Sequence, residues 1–208
     1  MSRTRIKICG LTRPEDVDAA VDAGADAIGL VFYPRSPRHV TPEQAASLAA
    51  RVPPFVSIVG LFVNAEEAFV HDVLARVPLH ALQFHGDEPA VDCARYGRPW
   101  LKAARVRAGF DLLEFASLHR SASGILLDAF SDAYGGTGHR FDWSLIPDAM
   151  ERRRLILSGG LDADNVGEAI RRVRPWAVDV SSGVEVDKGI KSAARIAAFI
   201  AGVRNADG

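Results

Sequence analysis

Short, unbroken apolar runs recur along the chain, separated by alanine-rich stretches whose apolar positions fall at helical spacing. The runs are RIKIC (5–9), AIGLVF (27–32), VSIVGLFV (56–63), HALQF (80–84), PWLKAARV (99–106), GILLDAF (124–130), RLILSG (154–159) and AVDVSS (177–182). Continuous runs of this length, bounded by turn residues, predict strands covered on both faces. The stretches between them predict helices. RPEDVDAAVDAG carries proline and acids in its first turn and Gly24 just beyond its end. TPEQAASLAARV, NAEEAFVHDVLARV, DEPAVDCARYG and DADNVGEAIRRV each open on a capping residue type followed by acids or proline. Weaker helical patterns cover 108–119 and 142–150, and a last helix is expected from Lys188 to Val203.

Strand and helix alternate eight times with no break in composition and no linker, which predicts an α/β fold with a parallel sheet. An open doubly wound sheet would place a GxGxxG turn after its first strand. No such turn follows Cys9. Eight units in 208 residues fit a single (β/α)8 TIM barrel spanning residues 1–208 as one catalytic domain.

Composition narrows the function. Hydrophobic residues make up 48% of the chain, ample for a core, and the net charge of −1 argues against nucleic-acid or membrane-surface binding by bulk electrostatics. The ERRRL run at 151–155 reads as a solvated helix end. No signal-like or membrane-length apolar segment is present, and the two cysteines, Cys9 and Cys93, have no metal-ligand spacing. The expectation is a cytoplasmic protein with free thiols.

In a (β/α)8 barrel the chemistry collects at the C-terminal strand ends. KICGL places Cys9 there, at the end of the first strand, whereas Cys93 lies in a helix and reads as a small buried hydrophobe. Asp128 follows three apolar residues at the end of the sixth strand, where a carboxylate is costly without a partner or a purpose. Gln83 and His85, at the end of the fourth, serve either structural hydrogen bonding or ligand contact. SGGL (158–161) and SSGV (181–184) put small residues on consecutive strand ends, where barrels commonly hold a phosphate against backbone N–H groups. Gly135, Gly136 and Gly138 mark a lid over the mouth, and Arg38 in RSPRHV suits an anion clamp. By two-residue alternation Lys7 shares a face with Cys9 and Asp179 with Ser181, so Lys7 and Asp179 are expected to pair beneath Cys9 or to form a purely structural buried pair.

KICGLT, GADAIGLVFYPRSPRHV, LQFHGDE, LLDAF…GGTG, LSGGLDADNV and DVSSGVE, in this order over nearly the whole chain, resemble phosphoribosylanthranilate isomerase. The resemblance implies an Amadori rearrangement within tryptophan biosynthesis, N-(5′-phosphoribosyl)anthranilate becoming 1-(2-carboxyphenylamino)-1-deoxyribulose 5-phosphate, with no metal or organic cofactor. It implies that Cys9 is similar to the general base, Asp128 to the general acid and Arg38 to the residue facing the anthranilate carboxylate. Gly159, Gly160, Ser181, Ser182 and Gly183 look like the phosphate site, and Gln83, His85 and Asp179 are further substrate-contact candidates. The implied partner is a phosphorylated small molecule, met by a monomer or homodimer. Three rivals remain: the related histidine-pathway isomerase, which uses two aspartates; a thiol hydrolase pairing Cys9 with His85; and a non-catalytic binder of phosphorylated ligands.

Overall fold

The computed structural model describes residues 3–129 and 142–208. Eight parallel strands close into a barrel in chain order. They are β1 (Arg5–Cys9), β2 (Ala27–Val31), β3 (Ser57–Phe62), β4 (Ala81–Phe84), β5 (Trp100–Val106), β6 (Gly124–Ala129), β7 (Leu155–Leu157) and β8 (Ala177–Val180). Pairing of β1 with both β2 and β8 closes the ring, with Lys7 opposite Ala27 on one side and Asp179 on the other. Around it run α1 (Pro14–Ala23), α2 (Pro42–Ala49), α3 (Glu67–Arg76), α4 (Ala90–Ala94), α5 (Leu112–Leu118), α6 (Val166–Val173) and α7 (Ala193–Asp207). No helix among the described residues is long and apolar enough to cross a membrane.

Some helix ends follow their sequence signals and others move. Pro14 opens α1, and Gly24, at φ 94°, closes it. Thr41 and Gln44 form a reciprocal capping box on α2. The expected start of α3 at Asn64 shifts to Glu67, because Asn64 adopts φ 47° and its Oδ1 accepts from the Asp87 N–H at 2.8 Å. Likewise α4 starts after Pro89 rather than Asp87. Before α6, Asp162 Oδ1 accepts from the N–H groups of Asp164 and Asn165, both at 3.0 Å, so a turn precedes the helix.

Two expectations need correction. The helix read over 142–150 is a single 3-10 turn, Trp143–Leu145, capped by Asp142. Among the described residues no α-helix lies between β6 and β7. The last helix begins five residues later than expected, at Ala193, because a small antiparallel hairpin intervenes, β9 (Glu185–Asp187) with β10 (Ile190–Lys191). Its turn uses Gly189 at φ 79°, and its position is set by the buried side chains of Glu185 and Lys191. Arg154, assigned by sequence to a solvated end, instead donates to Arg120 O at 3.0 Å and to Ala122 O.

The strand alternation sorts side chains into two cores. Ile6, Ile8, Leu30, Phe62, Leu82 and Phe84 join the main cluster under the helices. Ala103, Leu126, Ile156 and Ala177, with Leu101 against them, form a second cluster that fills the barrel interior near the strand starts. Further along the same inward faces come Lys7, Gln83 and Asp179, all buried. The apolar floor thus gives way to a polar layer, and the strand ends above it carry the candidate chemistry.

Candidate active site

One cavity opens at the C-terminal strand ends and is lined by Cys9, Arg38, Gln83, His85, Asp128 and Asp179 together with Gly159, Gly160, Ser181 and Ser182. Of the residues singled out from the sequence, Gly183 lies just behind this lining. Gly135, Gly136 and Gly138 lie outside the described residues.

Cys9 ends β1 with its thiol against Gly29 of β2. A Cβ on Gly29 would sit 2.6 Å from Cys9 Sγ, so only glycine leaves the thiol its space. Gly10 has a second task. At φ +75° its missing Cβ would lie 2.5 Å from Arg38 Cδ and 3.2 Å from Ser181 Oγ. The cysteine–glycine step therefore turns the chain and lets the Arg38 stem cross the end of β1.

Beneath the thiol, Lys7 Nζ donates to Asp179 Oδ1 at 2.9 Å and to Gln83 Oε1 at 3.0 Å. The pair expected from alternation is formed. Burial opposes the lysine charge, yet Asp179 and then Cys9 outweigh it and hold the ammonium well above its ordinary range. For Cys9 the balance runs the other way. Burial pushes the thiol up, Lys7 draws it down, Asp179 pushes it up again, and the net shift is upward. The ion pair alone does not make a resting thiolate. Cys93, also buried, is pushed up to about 12 by burial, as suits an inert structural thiol.

Asp128, at the end of β6, turns Oδ1 to the Ala129 N–H at 2.9 Å. Its Oδ2 lies 3.2 Å from His85 Nε2. Gly159, at φ +78°, makes this possible, because a Cβ there would stand 2.6 Å from Ala129 N and 3.0 Å from Asp128 Oδ1. The ring nitrogens of His85 face Gln83 and Asp128, which leaves the base of a Cys9–His85 hydrolase dyad without support.

Arg38 is buried and does not reach out alone. Its Nε and Nη2 donate to the two oxygens of Glu185, each at 2.7 Å. Lys191 Nζ donates to the same carboxylate at 2.7 Å and to Ser181 Oγ at 3.2 Å. Burial raises the Glu185 carboxyl, but Arg38 and Lys191 together hold it below its ordinary range. Burial draws the Lys191 ammonium down despite Glu185. Sequence analysis does not single out Glu185, which follows the SSGV turn, or Lys191, which falls within the helix expected from Lys188; the glycine in VDKGIK is the available sign of the hairpin.

The two small-residue turns meet. A Cβ on Gly183 would collide with the carbonyl oxygen of Leu161, so glycine allows the turn after β8 to lie on the turn after β7. Gly159 and Gly160 both have positive φ, 78° and 66°, and Asn165 Nδ2 braces Gly160 O at 2.9 Å. The helix expected near Ser182 is one 3-10 turn, Ser182–Val184, so any anion there depends on local N–H groups more than on a macrodipole.

A thiol and a carboxyl group facing one cavity, beside a buried guanidinium and two tight glycine turns, suit proton transfer on an anionic ligand. Fold and site define a (β/α)8-barrel isomerase. The family model for N-(5'-phosphoribosyl)anthranilate (PRA) isomerase matches residues 6–202. The N-(5'-phosphoribosyl)anthranilate isomerase of Dechloromonas aromatica is 62% identical over 205 residues, covering 99% of this chain and 98% of the relative. The crystal structure of the Thermotoga maritima enzyme is 45% identical with a TM-score of 0.89, covering 97% of this chain and 99% of the other. A phosphoribosyl anthranilate isomerase solved in complex with reduced 1-(o-carboxyphenylamino)-1-deoxyribulose 5-phosphate is 43% identical with a TM-score of 0.85, over the same shares of the two chains. The chain belongs to the N-(5′-phosphoribosyl)anthranilate isomerase family.

Proposed function

We propose that Cys9 is the general base and Asp128 the general acid in the conversion of N-(5′-phosphoribosyl)anthranilate to 1-(2-carboxyphenylamino)-1-deoxyribulose 5-phosphate, the tryptophan-pathway step that defines this family. Asp128, protonated, donates to the furanose ring oxygen as the C1′–O bond breaks, giving the ring-opened iminium. Cys9, as thiolate, removes the C2′ proton, and the electron pair forms the C1′–C2′ double bond of the enol-amine. Tautomerisation to the C2′ ketone completes the rearrangement. The iminium charge arrives beside a thiol that burial keeps protonated in the resting protein, and an adjacent cation favours the thiolate. The base is thereby strengthened when it is needed.

The single observation that carries this reading is the shared cavity, with Cys9 and Asp128 on its walls, Arg38 on its rim and the glycine turns beside them. Glu185 occupies the Nε edge of the Arg38 fork, so the outer N–H groups of the guanidinium are the ones left for the anthranilate carboxylate. The phosphate is assigned to Gly159, Gly160, Ser181, Ser182 and Gly183. Gln83 and Asp179 act from beneath the ligand, through Lys7, and His85 stands beside Asp128. The whole chain acts as one catalytic domain in the cytoplasm, as a monomer or homodimer.

A crystal grown with the reduced product analogue tests the arrangement. The carboxylate is expected on Arg38 and the phosphate between Gly159–Gly160 and Ser182–Gly183. A phosphate bound only at Arg35 or Arg38 contradicts it.

A further inference from the structure

Gln83 is a buried amide between Lys7 and His85, and its orientation is dictated by these neighbours. Lys7 Nζ has only donors to offer, so the atom it meets at 3.0 Å is the amide oxygen, Oε1. The NH2 group of Gln83 then points at His85 Nδ1, 3.2 Å away. An amide NH2 can only donate, which makes Nδ1 the acceptor and places the proton of the neutral ring on Nε2. Nε2 is buried and lies 3.2 Å from Asp128 Oδ2, but its N–H is out of line, and it has no hydrogen-bond partner among the described residues. The second carboxylate oxygen, Oδ1, is already held by the Ala129 N–H.

We propose that Gln83 is a positioning residue for proton transfer at Asp128. Held by Lys7, it locks His85 in the Nε2–H tautomer, and that N–H steadies the carboxylate left on Oδ2 once Asp128 has given its proton to the substrate. The opposite tautomer fails twice. It sets two donors against each other between Gln83 and Nδ1, and it turns a bare nitrogen lone pair toward the new carboxylate. The inference rests on the assignment of Asp128 as the acid.

A hydrogen bond to a charged group typically contributes about 1.5–3 kcal/mol, so loss of the lock is expected to lower kcat by roughly ten- to 150-fold. Long-range 1H–15N NMR of the histidine-labelled protein reads the tautomer directly, with His85 assigned by its absence in His85→Gln. The expected result is Nε2–H in the unsubstituted protein. In Gln83→Met a mixture of tautomers appears, kcat falls by the stated factor, and KM and the iodoacetamide reactivity of Cys9 stay within about threefold. An Nδ1–H tautomer in the unsubstituted protein overturns the proposal without any variant having to fold. So does Gln83→Met with altered tautomers and unchanged kcat, or with a kcat loss fully matched by a change in Cys9 reactivity. Should Asp128→Asn turn over normally, the acid assignment fails by itself, whatever the tautomer.

Discussion

Replacing Gly10 with alanine probes the link from backbone to specificity. The residue sits at φ +75°, which costs an L-residue roughly 1–2 kcal/mol. The new Cβ would also stand 2.5 Å from Arg38 Cδ and 3.2 Å from its Cγ. That stem cannot swing away cheaply, because Glu185 grips the guanidinium at Nε and Nη2, each 2.7 Å away. Overpacking of this kind costs about 1–3 kcal/mol. Together the two effects come to about 2–5 kcal/mol, or a Tm lower by roughly 4–20 °C for a chain of this size. If the strain is relieved by shifting Arg38, its contact with the anthranilate carboxylate is lost. A charged hydrogen bond contributes about 1.5–3 kcal/mol, equivalent to a KM raised roughly ten- to 150-fold. The assay follows the fluorescence of freshly made phosphoribosylanthranilate, with Tm measured alongside; inorganic phosphate affinity should change less than KM, because the new Cβ meets Ser181 Oγ only at 3.2 Å against 2.5 Å for Arg38 Cδ. A Gly10→Ala protein with KM within twofold and Tm within about a degree of the parent refutes the reasoning.

Other perturbations follow from the same contacts. Lys7→Met removes a cation that draws the Cys9 thiol down and leaves Asp179, which pushes it up. The alkylation rate of Cys9 should therefore begin to rise only at higher pH than in the parent, whose own thiol already titrates above its ordinary value of 9.0; an unchanged pH profile contradicts the pairing. Glu185→Gln leaves Arg38 and Lys191 buried without their shared anion. Breaking a buried pair costs about 3–5 kcal/mol, so Tm should fall by roughly 6–20 °C and KM should rise. Because the folded Glu185 carboxyl titrates below its ordinary 4.5, its contribution is complete above that pH and is lost as acid passes through the lower folded value, as thermal melts against pH would show. Gly183→Ala should part the two glycine turns and weaken phosphate binding roughly five- to 150-fold, for an overlap costing roughly 1–3 kcal/mol; calorimetry with inorganic phosphate checks it.

The barrel was readable from the chain because each strand is covered on both faces and so appears as an unbroken apolar run. The strand-end rule then located Cys9 and Asp128 without reference to contacts. Alternation within RIKIC and AVDVSS was enough to anticipate the Lys7–Asp179 pair, since closure makes β1 and β8 neighbours. The hairpin after β8 was less accessible. Glu185 and Lys191 look like ordinary surface charges until Arg38, nearly 150 positions away, is placed between β1 and the hairpin. Helix starts at Asn64 and Asp87 misled for a related reason: Asn64 spends its side chain on the Asp87 N–H, a partner distant in sequence. The Gln83 orientation was out of reach, because the atom that turns its oxygen one way is Lys7 Nζ on β1, 76 positions away in sequence, although His85, two residues on, shares its face.

The assignment of base and acid is tested most directly by turnover of freshly generated N-(5′-phosphoribosyl)anthranilate by the purified protein and by Cys9→Ser and Asp128→Asn. The parent protein should consume the substrate. Each variant should keep its fold and a KM within a few-fold, while kcat falls by about 10²–10⁴. An inactive parent protein, or either variant with near-parental kcat, would contradict the account.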